Sequence, residues 1–190
     1  MSPPCLMQQV LGDDWQRLPP ALKKHHLAQH NTDLGQLDID YPSFMQFFLN
    51  LLSWFGILFN RRGRGFATEV VKSMDGNQLY WKRSIRLSDS RIMTFNSRWV
   101  AAGDHSIIEY VNFFLGLKMR LRVVDGLIYE GVHLVVNLGI LKLPVPECLL
   151  LGHCLIREKA LGEDQFHMEF HLQHPLLGRL YSYNGRFHTC

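Results

Sequence analysis

The chain of 190 residues carries 20 Lys+Arg against 17 Asp+Glu, a net charge of +3, and 47% hydrophobic residues. That length fits one domain, 1–190, and that apolar content supplies a buried core, which excludes a disordered chain. So small a basic excess does not imply a nucleic-acid binder, and no nucleic-acid partner is expected.

The opening stretch MSPPCLMQQV has neither a basic run nor a long apolar one, so no secretory signal is expected. Cys5, Cys148, Cys154 and Cys190 form no C-x-x-C pair, and their spacing suits neither a zinc knuckle nor a disulfide scaffold. A reducing, cytoplasmic setting is the simplest reading. Leu18-Pro19-Pro20 opens a short helix, because Pro20 fits a first turn where its missing N–H would have been unpaired anyway. Leu22, His26, Leu27 and His30 continue at helical spacing. His26 and His30, one turn apart with His25 adjacent, could share a metal, but no third ligand stands near; they read as the polar face of a surface helix, and neither metal nor cofactor is expected. Asn31–Asp40 reads as a turn-rich linker.

Tyr41–Phe59, YPSFMQFFLNLLSWFGILF, predicts a second helix that is apolar around most of its circumference. Ser43, Gln46, Asn50 and Ser53 fall on one narrow stripe, and Phe47, Leu51, Trp54 and Leu58 form a ridge at steps of four, three and four. The preferred reading is a core helix with the polar stripe in solvent and the ridge against the rest of the fold. The alternative is a helix lying on a membrane, with Phe47, Leu51, Trp54 and Leu58 facing lipid and Arg61, Arg62 and Arg64 facing its anionic headgroups. The stretch is near the lower length limit for a span, which is the least favoured reading.

From Gly65 the periodicity changes to two. Strands are predicted near Gly65–Ser73, Gln78–Leu87, Arg91–Val100, His105–Leu115, Leu117–Val124, Leu127–Val136, Leu150–Ala160, Gln165–Gln173 and Arg179–His188, separated by turn signals such as Asp75-Gly76-Asn77 and Asp125-Gly126. Pro144 and Pro146 mark Gly139–Leu149 as a longer connection or a sheet corner. Short loops make neighbours antiparallel. The fold class is α+β, mainly antiparallel β: a strongly curved sheet or barrel of about nine strands (65–190) with two N-terminal helices (within 1–64) packed on it.

Several stretches in this order resemble one bacterial family, domain of unknown function 4166. They are LGDDWQRLPPALKKHH at Leu11–His26, Trp81-x-Arg83, Phe95-x-Ser97, Glu109–Gly116, Gly139-x-x-x-Leu143-Pro144-x-Pro146, Glu158, and Pro175-Leu-Leu-Gly178-x-Leu180-x-x-Tyr183-x-Gly185. The resemblance implies no assigned activity. In some members a similar domain is appended to a dinucleotide-dependent oxidoreductase, which implies an accessory role and an oxidoreductase partner. This chain has no G-x-G-x-x-G after a strand and no βαβ alternation of its own.

Glu109 and Glu158 alternate with apolar residues, as does Arg83 beside Trp81, so all three are expected to point inward, where a carboxylate must be paired or shift its pKa. With Tyr183 they make the candidate ligand-binding set: Trp81, Arg83, Glu109, Glu158 and Tyr183. An Arg–Glu cluster inside a β-cavity could hold a polar head group; equally it could be an internal ion pair that fixes the sheet. No G-x-S-x-G elbow or recognisable catalytic cysteine is present, and general acid–base work by Glu109 or Glu158 has nothing further behind it. The reading that leads is a non-enzymatic binding domain for an apolar or amphipathic small molecule or lipid. The alternatives are an enzyme or enzyme subunit beside an oxidoreductase, and a peripheral membrane protein.

Overall fold

The computed structural model describes residues 4–27 and 30–190. Its elements are α1 (Leu6–Leu11), a 3-10 turn (Gly12–Arg17), α2 (Pro20–His26), β1 (His30–Asp40), α3 (Met45–Trp54), β2 (Gly63–Asp75), β3 (Gln78–Arg86), β4 (Ile92–Ala101), β5 (Ser106–Tyr110), β6 (Leu115–Val123), β7 (Leu127–Asn137), β8 (Lys142–Val145), a 3-10 turn (Glu147–Leu149), β9 (His153–Ala160), β10 (Gln165–His174) and β11 (Gly178–Thr189). All strand pairings are antiparallel. Ten strands follow one another around a ring, β1 to β7 and then β9 to β11, which β1–β11 and β6–β7 pairing close into a barrel; β8 adds to β7 outside it.

Alternation explains the barrel strand by strand. In β3, Leu79, Trp81 and Ile85 are buried while Tyr80, Lys82 and Arg86 are exposed; in β10, Phe166, Met168, Phe170 and Leu172 point inward. The tight β2–β3 hairpin places Gly76 at φ 56°, a left-handed conformation that glycine adopts without a Cβ clash. The β6–β7 ladder shifts register between Lys118 and Met119, which leaves Val132 unpaired and turned outward. β7 is shared between partners: Leu127–Glu130 pair with β9, and Leu134–Asn137 pair with β8.

The two ends of the barrel differ. At one end, α1, its following turn and α2 plug the opening with Leu6, Met7, Leu11, Trp15, Leu18 and Leu22, all buried. α1 is capped by a thiol in place of the usual hydroxyl: Cys5 Sγ accepts from the Gln8 amide at 3.4 Å, and Gln8 Oε1 accepts from the Cys5 amide at 2.9 Å. All four cysteines are free thiols. At the other end lie α3, the β5–β6 turn, the β7–β8 hairpin and the β10–β11 turn; this end is the mouth.

The chain departs from the sequence reading in definite places. Asn31–Asp40, read as a linker, is most of β1, with Asn31, Asp33, Leu37 and Ile39 buried, so a strand interrupts the N-terminal helical part. Val111–Phe114 is a turn that divides the single strand expected over His105–Leu115. The connection around Pro144 contains β8, and the strand expected from Leu150 begins at His153. The second helix covers only Met45–Trp54. Its expected buried ridge is also corrected. Phe47 is 74% and Trp54 86% exposed, Leu51 is exposed and Leu58 half-buried; Met45, Leu49 and, partly, Leu52 meet the barrel instead. The polar stripe folds back on the chain: Tyr41 Oη donates to Gln46 Oε1 (2.8 Å), Gln46 Nε2 donates to Asn50 Oδ1 (2.9 Å) and to the Asn60 carbonyl (3.1 Å), and Asn60 Nδ2 donates to Asn50 Oδ1 (2.9 Å). Ser43 and Asn50 are exposed and Gln46 and Ser53 half-buried, so this stripe lies along the surface beside the exposed aromatic face. Among the described residues no helix is long and apolar enough to cross a membrane.

Candidate functional site

Inside the barrel a narrow cavity of about 100 Å³ runs from the mouth toward the plugged end. Ile57, Leu58 and Phe59, the segment after α3, roof the mouth, and Leu134 and Leu151 line it where β7 leaves β9 for β8. The roof is tied down by Tyr181 Oη donating to the Phe59 carbonyl (3.1 Å) and Asn112 Nδ2 to the Phe55 carbonyl (3.1 Å). Phe95, Phe170 and Tyr181 make the upper walls apolar.

Halfway down, Arg83 on β3 projects inward. Its guanidinium donates to Ser97 Oγ (2.8 Å) and Glu109 Oε1 (3.1 Å), and lies over Trp81 at 4.8 Å and Phe95 at 5.2 Å. Cation–π contact on two rings holds the plane of the guanidinium while leaving other N–H donors beside the cavity. Trp81 stacks on Trp99 at 4.5 Å, and neither indole N–H has a hydrogen-bond partner, an unusual cost for two groups so deeply buried.

The floor is a polar cluster walled by those indoles. α2 ends at His26, and both His25 and His26 are 2% exposed, so they turn into the barrel and do not form the polar face of a surface helix. The side chain of His30, the other half of the expected histidine pair, lies outside the described residues. Asn31 Nδ2 donates to the carbonyls of Lys24 (2.7 Å) and His25 (3.2 Å), fixing the end of α2 against β1. Asp33 Oδ2 stands 2.9 Å from His25 Nδ1 and 2.8 Å from Lys72 Nζ, while Thr189 Oγ1 donates to Asp33 Oδ1 at 2.8 Å. Lys72 also donates to the His25 carbonyl and faces Trp81 at 5.1 Å. On the other side, Glu158 Oε2 is 2.8 Å from His26 Nε2, and Tyr129 Oη reaches both Glu158 oxygens at 3.2 Å.

Burial works against charge on His25, and the Asp33 and Glu158 carboxylates together outweigh it, so that imidazole is held above its ordinary value. Burial wins at His26, lowering it to about 4 against the pull of Glu158. Burial alone would raise both carboxyls; the facing imidazoles, His25 at Asp33 and His26 at Glu158, hold them well below the usual carboxylate range. Burial lowers Lys72 as well, with Asp33 opposing. The result is two carboxylates facing one ammonium and one protonatable imidazole, in a site shut off from bulk water.

All five residues of the candidate set lie inside the barrel, but in two groups. Trp81, Arg83 and Glu109 meet at mid-cavity, where Tyr183 also lines the wall, and Glu158 belongs to the floor. Arg83 and Glu158 are therefore not members of one cluster. Asp33, Lys72 and Tyr129 were not singled out by sequence. Tyr129 alternates inward with Leu127, which was a usable signal; Asp33 and Lys72 carried none, since each is a charged residue at a position that local pattern assigns to a loop or a solvent face. His167 and His171 sit on the outer face of β10, loosely paired with Glu169 at 3.7 and 3.9 Å.

A family model described as Domain of unknown function (DUF4166) matches residues 18–187, from the start of α2 to near the end of β11. No curated protein and no solved structure matches the chain.

Proposed function

The chain belongs to the DUF4166 family, and from that premise, which carries no activity with it, we propose that the barrel is a binding module for an apolar or amphipathic small molecule. The observation that carries this reading is the single cavity leading from an apolar mouth to Arg83 and His25. An apolar body would lie between Phe95, Phe170 and Tyr181, and a polar or acidic head would meet the N–H groups of Arg83 that Ser97 and Glu109 leave over. Native mass spectrometry of gently purified protein, followed by thermal shift against fatty acids, isoprenoid alcohols and phospholipids, tests it. An adduct or a stabilising lipid class is expected, with Arg83→Met weakening an acidic-headed ligand about tenfold or more. Bare polypeptide mass together with no stabilisation by any member of the panel overturns the reading.

A second reading, attachment of the mouth to a membrane surface, is favoured by one specific observation. Phe47, Trp54, Phe113, Phe114, Ile140 and Leu176, from four separate segments, are exposed together at the mouth end. Phe47, Leu51 and Trp54 would enter the interface, and Arg61, Arg62 and Arg64, all exposed just after the roof, would meet anionic headgroups. Leu58 belongs to the cavity roof in this arrangement. Flotation with anionic vesicles should carry the protein up at low salt and less at high salt, and Trp54→Ser should reduce it. Equal behaviour with and without vesicles sinks the attachment while leaving the binding module standing.

A further inference from the structure

The floor of the cavity has a chemistry that ligand binding at mid-cavity does not use. We infer that it is a divalent transition-metal site of the zinc class, formed by His25 Nε2, His26 Nε2 and the Glu158 carboxylate, with the Tyr129 hydroxyl as the fourth neighbour.

The geometry is that of a converging donor set. One donor atom from each of His25, His26 and Glu158 lies within 4.8 Å of the others, and all three residues are buried. His25 Nε2 is 3.6 Å and His26 Nε2 2.8 Å from Glu158 oxygens; Tyr129 Oη is 3.1 Å from His26 Nε2 and 3.2 Å from the carboxylate. Bond lengths of about 2.0–2.2 Å around a tetrahedral zinc would set neighbouring donors roughly 3.3–3.6 Å apart, so a small outward adjustment seats an ion among them.

His25 Nδ1 stands 2.9 Å from both the Asp33 carboxylate and the Lys72 ammonium, so that side of the ring is already engaged. His25 Nε2, on the opposite side, is fully buried, faces the Glu158 carboxylate at 3.6 Å and has no hydrogen-bond partner. A buried ring nitrogen left without a partner beside a carboxylate calls for a shared cation, either a proton on His25 or a metal ion that displaces that proton. Lys72 does not supply it, because its ammonium stands on the Nδ1 side and is met by Asp33. Of the donor set, His25 lines the cavity, so an ion would be reached from the mouth past that imidazole and would lie just behind a bound molecule.

The test uses the full chain, stripped with dipicolinate, desalted, and titrated with zinc and, separately, cobalt. One ion per chain is expected, with a melting temperature raised by several degrees in excess zinc. Cobalt should give the visible bands of four-coordinate ligation, and X-ray absorption of zinc-loaded wild type should report a nitrogen/oxygen shell containing two imidazoles. Glu158→Gln should weaken binding by about a hundredfold or more, and Asp33→Asn, which reaches the ion through His25, by about tenfold. Double substitution of the surface residues His167→Ala and His171→Ala should change nothing. The inference fails if the stripped chain retains no ion through gel filtration, if sulfur appears in the zinc shell, or if binding is lost in the His167/His171 variant and kept in Glu158→Gln. The X-ray measurement needs no variant and stands even if floor substitutions prevent folding. The lipid panel, read on the same stripped protein, separates failure here from failure of the binding module.

Discussion

At the plugged end of the barrel, two short helices drive Leu6, Leu11, Trp15 and Leu22 completely out of solvent and seal a floor made of Asp33, Lys72, His25, His26 and Glu158. At the mouth, a longer and more hydrophobic helix leaves Phe47 and Trp54 in water, and its amides, not its aromatic rings, satisfy themselves within the fold. Hydrophobicity thus runs opposite to burial between the two ends. The difference teaches that composition sets how much surface can be hidden, while the partners available decide which surface is. α1 and α2 meet the open end of a barrel whose interior is apolar apart from the Arg83–Glu109 pair and the floor cluster. α3 meets the rim only with Met45, Leu49 and part of Leu52, so the rest of its apolar girdle has nothing of its own chain to cover it.

Substitutions at the two ends should separate accordingly. Trp99→Ala removes a fully buried ring stacked on Trp81 and touching Tyr129, and should cost about 3–5 kcal/mol in denaturant unfolding. Asp33→Asn leaves Lys72 buried without its carboxylate and should cost about 3 kcal/mol near neutral pH in chelator-stripped protein. Its pH dependence has a definite sign. The folded Asp33 carboxyl is held below its ordinary value, so the stability it contributes is present above that value and is lost as pH falls through the folded one. Melting curves of wild type and variant should therefore converge on the acid side; a constant gap down to the lowest pH at which both fold would contradict the pairing. Leu49→Ala, on the buried side of α3, should cost about 2–3 kcal/mol. Trp54→Ala, one turn and a little further along, should stay within about 0.5 kcal/mol by the same assay, because its ring is already in water. A loss above 2 kcal/mol at Trp54 would mean that α3 docks by its aromatic face after all and would erase the contrast between the two ends.

Much of the barrel was legible from alternation and turn chemistry. Trp81, Arg83 and Ile85 take one face of β3, as their spacing says, and Glu109 and Glu158 lie inward among apolar neighbours. β1 was not legible for a physical reason. Its inward positions near the floor are Asn31 and Asp33, placed there to hold the end of α2 and to meet His25 and Lys72, so the strand that builds the polar floor lacks the apolar alternation by which strands are read. The helix failed differently. A segment apolar on nearly every side offers several ridges of equal hydrophobicity, and Phe47–Leu51–Trp54 is no worse on paper than Met45–Leu49–Leu52. Which ridge meets the barrel depends on where the chain on either side of the helix is anchored, as Gln46 and Asn50 are to Tyr41 and Asn60, and that is not written in the helix itself. The histidines were misplaced because a short helix with Lys23 and Lys24 looks solvated, whereas its last turn dives into the barrel.

The pairing of β1 with β11 has a consequence for how the molecule comes into being. Thr189 Oγ1 grips Asp33, the Lys24 ammonium donates to the Thr189 carbonyl, and the Cys190 amide donates to the Thr32 carbonyl. Strands near opposite ends of the sequence must therefore find one another before the ring closes, a late step with a large loop-closure cost. During synthesis the hairpins from β2 to β7 can form in order as they leave the ribosome, yet β1 waits with one edge unpaired until β11 arrives. A chain shortened within its last dozen residues would keep most of its hairpins, lose the seam, and expose a template for pairing with other chains. Pulse-labelled hydrogen exchange during refolding should accordingly show the β1 amides that bond to β11 protected last, after those of the β2–β3 and β6–β7 ladders.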